Sequence, residues 1–381
     1  MKFFSDSGYY VLASILPMIL SFIFLPIYLS SLSIEQYAIY CLLSVAVLFL
    51  STLAGLQLHS SVARYYFDYE QGSQKFNYIS TLLNCGLALS VLVSLVLFLF
   101  LILFRDFIIL FLEIENVKAL SVCIMLTASN ILLAILTAFV RVLQKSRQYF
   151  YIMTVSSASS TVVTLVLLKI YNLNELSLLL GHFSANVISI ILFSVLFQKS
   201  YRLVLKLQIV KQSLKLSIPV IPHAFGGMIF LYSDIWILNA YASLVAVALY
   251  SLSDKLAKVL KIFINAAAKS YSPIFMRSFL EKEETTSQKF IHFVKFWFTI
   301  LPLAFALILL GSWIFVEYFL STEYLEVIYI VPLLLISYSF RGVYMLFINF
   351  FYLEKKVHFL SRVTVLAAIL NIVLNYIFVS Q

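Results

Sequence analysis

Eleven apolar stretches, each about long enough to cross a bilayer as a helix, leave this chain little else to fold into. At about 1.5 Å rise per residue, some 20 apolar residues span the ~30 Å hydrocarbon layer. The stretches lie at roughly 8–31, 36–59, 77–104, 117–143, 150–171, 176–197, 216–242, 244–266, 291–319, 325–352 and 359–379. Read as spans, they predict an all-α integral membrane protein. Only 11% of residues are charged, against about 25% in a soluble domain. The apolar run after Met1–Gly8 lacks a small-residue cleavage site, so the first stretch is expected to be a span and not a signal.

The connections are short, and the longest polar piece, 269–290, is too small for a domain. No P-loop, HExxH, GxSxG or GxGxxG occurs, so neither an ATPase nor an enzyme is expected. Cys41, Cys85 and Cys123 sit in apolar runs without metal-ligand spacing and read as free buried thiols. No metal or resident cofactor is expected, beyond coupling to an ion or proton gradient.

Charge distribution sets the orientation. Of the 26 lysines and arginines, only Arg105, Lys118 and Lys169 fall on one side. The others, including Lys2, the group from Lys199 to Lys215, the run from Lys255 to Lys295 and Lys355-Lys356, fall on the other. By the positive-inside rule that side, with the N-terminus, is cytoplasmic. The net charge of +9 thus reflects loop asymmetry and not a nucleic-acid partner.

An internal repeat is visible. Pro17 and Pro26 precede a short outer turn and Tyr37-Ala38-Ile39-Tyr40; Pro219 and Pro222 precede a short outer turn and Val247-Ala248-Leu249-Tyr250. Both pairs enter from the same side, predicting parallel repeats about an axis normal to the membrane. The expected division is an N-terminal lobe, 1–197, a basic cytoplasmic linker, 198–215, and a C-terminal lobe, 216–381. Six plus six spans would need a twelfth crossing, so the expectation is either a missing last helix or a protein that works with eleven.

Ionisable residues inside these stretches are the candidate cavity residues, because a charge at the bilayer centre costs about 2.5–3.5 kcal/mol. Lys255, Lys258 and Lys261 recur every three residues on one helix face, with Asp254 placed to pair with Lys258. They form either a cationic patch for pyrophosphate or snorkelling lysines at a helix end. Asp234 lies among Ile229, Phe230, Ile235 and Trp236 and is expected to neutralise or to find a cation, as a gating partner for a basic residue of the other lobe, a proton-linked site or a structural pair with a neighbour. Arg341 sits mid-span and is the most costly cation in the chain. Arg64 and Arg141, at span ends, either flank an entrance or anchor the topology. His223 follows Pro222, where a broken helix frees carbonyls, and reads either as a ligand or as a packed polar group. Ser156, Ser160 and Thr164 have the small-xxx-small spacing of close helix packing.

Ser233-Asp234-Ile235-Trp236-Ile237-Leu238, followed by Leu249-Tyr250-Ser251-Leu252-Ser253-Asp254-Lys255-Leu256-Ala257, resembles a stretch of the polysaccharide flippase family. That family comprises the O-antigen-type transporters of the multidrug/oligosaccharidyl-lipid/polysaccharide exporter superfamily. Leu25-Pro26-Ile27-Tyr28-Leu29, Tyr37-Ala38-Ile39-Tyr40, Gln57, Arg64-Tyr65-Tyr66 and Asn371-Ile372-Val373-Leu374-Asn375 resemble its first helix pair and its eleventh helix. Ala38 and Ala248 stand where the family usually has glycine. The resemblance implies two six-helix lobes around a cationic cavity in a bacterial inner (plasma) membrane. The implied substrate is an undecaprenyl-pyrophosphate-linked oligosaccharide, flipped outward by alternating access for O-antigen, capsule or exopolysaccharide assembly. Membrane lipids and a downstream polymerase or ligase are the implied partners.

The alternatives are an exporter of another substrate from the same superfamily and a membrane glycan polymerase or ligase. Drug exporters typically use an acidic residue in the first span, whereas Asp6 precedes it here. Polymerases and ligases generally carry a long outer loop, which this chain lacks.

Overall fold

The computed structural model describes residues 2–379 apart from 70–71, 113, 115, 200, 281–285 and 354–356. Lys282, Lys355 and Lys356, which enter the charge asymmetry, and the terminal Ser380-Gln381 lie outside the described residues. The described chain is helical, without a strand. Its helices are α1 (Lys2–Ile23), α2 (Leu25–Leu29), α3 (Ile34–Ala54), α4 (Leu58–Tyr65), α5 (Ser73–Leu103), α6 (Arg105–Leu112), α7 (Val117–Val142) and α8 (Ser146–Lys169). There follow α9 (Glu175–Phe197), α10 (Leu207–Ser217), α11 (Ile221–Tyr241), α12 (Leu244–Leu280), α13 (Thr286–Phe319), α14 (Val327–Leu353) and α15 (Val357–Val379).

Among the described residues eight helices are long and apolar enough to cross a membrane, with α10 and α11 taken as one run. Gly8–Ile23 and Val365–Val379 are shorter apolar helices. The remaining expected span, α12, is 37 residues long but carries Asp254, Lys255, Lys258 and Lys261 in its first half. The all-α, multi-pass membrane architecture therefore holds. Two compact units divide the chain, Met1–Tyr232 and Ser233–Gln381. Residues 198–215 lie within the first.

Local chemistry explains where the helices depart from the expected spans. Pro26 has no N–H to continue the ladder, so the first stretch ends as α1 at Ile23 and restarts as α2 with Pro26 in its first turn. The second stretch also breaks. After α3, the Gly55 N–H donates to the Ser51 carbonyl at 3.0 Å, and a Cβ at residue 55 would lie 2.6 Å from that oxygen. Leu56 and Gln57 follow with φ of 48° and 51°, a left-handed conformation costing roughly 1–2 kcal/mol for each non-glycine residue. Packing offsets that cost: Leu58, Val62 and Tyr66 beyond the break bury against Tyr78, Ile79, Leu82 and Phe139. Within lipid such packing acts by close contact and not by exclusion of water.

Small residues bring α8 and α9 into close contact. A Cβ on Gly181 would fall 1.9 Å from the Thr164 hydroxyl and 2.9 Å from the Ser160 carbonyl, and Ser189 donates to Ser156 at 2.7 Å. The small-residue stripe is thus the helix–helix contact surface.

The expected linker is partly ordered secondary structure. Ile209, Ser213 and Ser217 recur every four residues and are buried, whereas Lys206, Lys211 and Lys215 are exposed, which makes 207–217 an amphipathic helix. Before it, an extended strap crosses α5. The Asn84 amide donates to the carbonyls of Arg202 (3.2 Å) and Val204 (2.9 Å). The N–H groups of Arg202 and Lys206 donate to the Ser80 (2.9 Å) and Thr81 (3.2 Å) hydroxyls.

In the second unit α12 continues past the expected end at 266 to Leu280. Ala248, Leu252, Leu256, Leu260 and Ile264 recur every four residues and are buried. On α14, Val327, Val331 and Leu335 are buried at the same spacing, and Leu346 is buried three turns further on. Gly342 lets the helices close: a Cβ there would meet Ile264, Leu301 and Trp297, each at 3.3 Å.

Candidate functional site

The α12–α14 contact brings together most of the ionisable residues singled out from sequence. Asp254, only 9% exposed, takes the Lys258 ammonium at 2.5 Å on one carboxylate oxygen. Its other oxygen accepts a hydrogen bond from the Tyr338 hydroxyl at 2.6 Å. The Lys258 contact is the i,i+4 pair of the sequence; the Tyr338 contact ties α12 to α14. The Lys261 ammonium lies 5.8 Å from the Tyr338 ring centroid, within range of a cation–π attraction. Arg341 follows Tyr338 by three residues, close enough to act electrostatically on Lys261. Its guanidinium Nε is buried without a hydrogen-bond partner among the described residues. Lys255 is half-buried beside Asp254.

The cluster is rich in cations and contains one carboxylate, Asp254. In a low-dielectric setting like charges repel strongly. A group of anionic oxygens placed among them would relieve that repulsion and accept from the Arg341 Nε–H.

Asp234 lies among neighbouring polar side chains of the second unit. Its carboxylate accepts from the Tyr250 hydroxyl on one oxygen and from the Asn375 amide on the other. Among the described residues it forms no ion pair. Asn375 also donates to Asn371 at 3.2 Å, and Ser233 donates to the same Asn371 oxygen at 3.1 Å. Of the alternatives open from sequence, these contacts match a structural pairing, made by neutral donors that join α11, α12 and α15. Neutral donors suffice because hydrogen bonds to a carboxylate stabilise it without adding a second buried charge.

The other candidates belong to the first unit. Arg64 is exposed and pairs with Asp68 at 3.0 Å, both side chains about half in solvent. Arg141 is exposed in the last turn of α7, its Nε donating to the Thr137 carbonyl at 3.3 Å, where a cation complements the helix dipole. His223 is exposed in the first turn of α11.

The first unit has a cavity of its own. It measures 380 Å³, and Ser51, Thr52, Gln57, His59, Asn130 and Thr137 supply its polar lining. Behind it Asn186 donates to Asn130 (2.8 Å) and Ser129 (2.9 Å). Sequence reading passed over Asn130 and Asn186; the available signal is an amide inside an apolar run, which hydrocarbon tolerates only when paired. Tyr338 was missed as well, although it lies one turn before Arg341.

The polysaccharide biosynthesis protein family model matches residues 3–279 of this sequence. No curated protein matches the chain. Among solved structures, it resembles an inward-facing multidrug resistance MATE family transporter of the MOP superfamily. The TM-score is 0.70 at 13% identity, covering 97% of this chain and 90% of that one. A MOP superfamily transporter from Pyrococcus furiosus gives a TM-score of 0.57 at 16% identity, covering 98% and 95%. An outward-facing MATE family transporter gives 0.55 at 14%, covering 98% and 94%. At these identities the likeness is one of fold, and the fold is that of the superfamily's transporters.

Proposed function

Because the chain belongs to the polysaccharide biosynthesis protein family, we propose that it is a flippase for a lipid-linked oligosaccharide. The substrate carries a pyrophosphate between an undecaprenyl tail and the sugars, and moves from the cytoplasmic to the outer leaflet of a bacterial inner membrane. The observation that carries this reading is the cation cluster of Lys258, Lys261 and Arg341 on a contact between long helices of a membrane protein. A pyrophosphate supplies anionic oxygens beyond those of Asp254, the carboxylate that holds Lys258. Lysine ammoniums act on it as point charges, and the Arg341 guanidinium offers a planar pair of donors.

The tail has no need to leave hydrocarbon. Moving the charged pyrophosphate and sugars through the apolar layer is the costly step, and a cationic polar path lowers it. Transport follows alternating access, with the lobes 1–197 and 216–381 as moving bodies and the outward product passed to a polymerase or ligase. No covalent step is involved.

The experiment is complementation of a strain lacking this gene with Arg341→Ala. Surface polysaccharide is measured alongside the amount of protein in the membrane. The expected outcome is loss of export at unchanged protein level, with partial recovery in Arg341→Lys. Normal export by Arg341→Ala would sink the proposal.

A further inference from the structure

A cation-lined cavity lies in the first unit. It measures 300 Å³. Lys75, in the first turn of α5, and Lys145, between α7 and α8, supply its charge; Ile79, Leu143, Leu196 and Phe197 supply an apolar floor. The Lys75 ammonium stands 4.8 Å from the Tyr66 ring centroid, and the Arg202 guanidinium 5.8 Å from that of Phe76, two more wall residues. Both lysines are half-buried. Among the described residues neither forms an ion pair; the first unit's pair is Arg64 with Asp68.

Aromatic faces attract these cations without neutralising them. Half-buried ammoniums that meet no carboxylate among the described residues are open to an anion from outside the chain. The surroundings narrow its kind. The cavity is built where spans begin and end, by the start of α5, the α7–α8 connection and the end of α9, which is the level of lipid headgroups. A hydrated phosphate ion gains nothing from a floor of leucine, isoleucine and phenylalanine. A phosphodiester followed by acyl esters gains from both parts.

We propose that this cavity binds the phosphate of an anionic phospholipid, with Lys75 and Lys145 as its charge partners and Phe197 beneath the glycerol ester region. The site is independent of the flippase reading and of its substrate. Bound lipid would bridge α5 to the α7–α8 connection.

Native mass spectrometry of the purified full-length protein tests this with phosphatidylglycerol against phosphatidylcholine at equal concentration. Phosphatidylglycerol is expected to be retained preferentially. The preference should fall about fivefold per lysine removed in Lys75→Gln and Lys145→Gln, and persist in the Lys→Arg pair. Wild-type-like gel-filtration elution establishes that each variant is folded; should the double variant aggregate, Lys145→Gln alone carries the comparison. Equal retention of the two lipids, or an undiminished preference in the folded glutamine variants, overturns the proposal. Displacement of phosphatidylglycerol by millimolar inorganic phosphate, with equal thermal stabilisation by phosphate alone, assigns the cavity to the free ion and overturns the lipid source.

Discussion

Asp254 and Tyr338, 84 residues apart, share a hydrogen bond of 2.6 Å that joins α12 to α14. The same carboxylate holds Lys258, so Asp254 fixes a cation and a helix contact together. A buried bond to a charged group contributes about 1.5–3 kcal/mol. Tyr338→Phe, which removes the hydroxyl and keeps the ring, is expected to lower stability by about 2 kcal/mol in detergent unfolding. A cycle with Asp254→Asn should show coupling of roughly 1–2 kcal/mol. Additive losses would mean that the contact does not form.

Asp234 is held by Tyr250 and Asn375. Asp234→Asn keeps one acceptor oxygen and is expected to cost about 1–2 kcal/mol, whereas Asp234→Ala strands two donors and costs more. Thermal unfolding of both variants beside Tyr250→Phe checks the order. A cation partner would instead make Asp234→Asn as damaging as Asp234→Ala.

Gly181→Ala places a methyl group onto Thr164 and the Ser160 carbonyl. Overpacking of this kind costs typically 1–3 kcal/mol. Thr164→Ala in the same chain should recover part of the loss, because it removes the hydroxyl at 1.9 Å but not the backbone oxygen at 2.9 Å. Unfolding midpoints of the two single variants and the double variant supply the comparison.

Orientation is open to a direct measurement. Leu205 and Glu323 are exposed, and the charge asymmetry puts them on opposite sides of the membrane. In a background without the three native cysteines, Glu323→Cys should react with an impermeant maleimide on intact cells. Leu205→Cys should react only after lysis; labelling of residue 205 from outside would reverse the assignment.

The fold was legible because its strongest signals are local. Apolar runs of span length and the i,i+4 spacing of Asp254 and Lys258 both lie close together along the chain. What escaped depends on distant partners or on residues that disguise their role. Leu56 and Gln57 carry no mark of a left-handed turn, since neither is glycine; Gly55 just before them was the available sign. The 207–217 helix was hidden by its lysines, which line its exposed face. The partner of Asp234 stayed open between a cation and a structural neighbour because Asn375 lies 141 positions away. In the candidate site the residue types were readable and the Tyr338 crossbrace was not.

The strap over α5 has a consequence for how this protein tolerates change. Ser80, Thr81 and Asn84 grip main-chain atoms of residues 202, 204 and 206. Those bonds do not depend on which side chains the strap carries. Natural variation should therefore accumulate freely at positions 203 to 205, where any residue but proline or a deletion leaves the grip in place. The three polar positions of α5 should drift little, because each change there releases a whole segment. Two stretches of the same molecule would then age at different rates, the plain helix slowly and the basic segment fast.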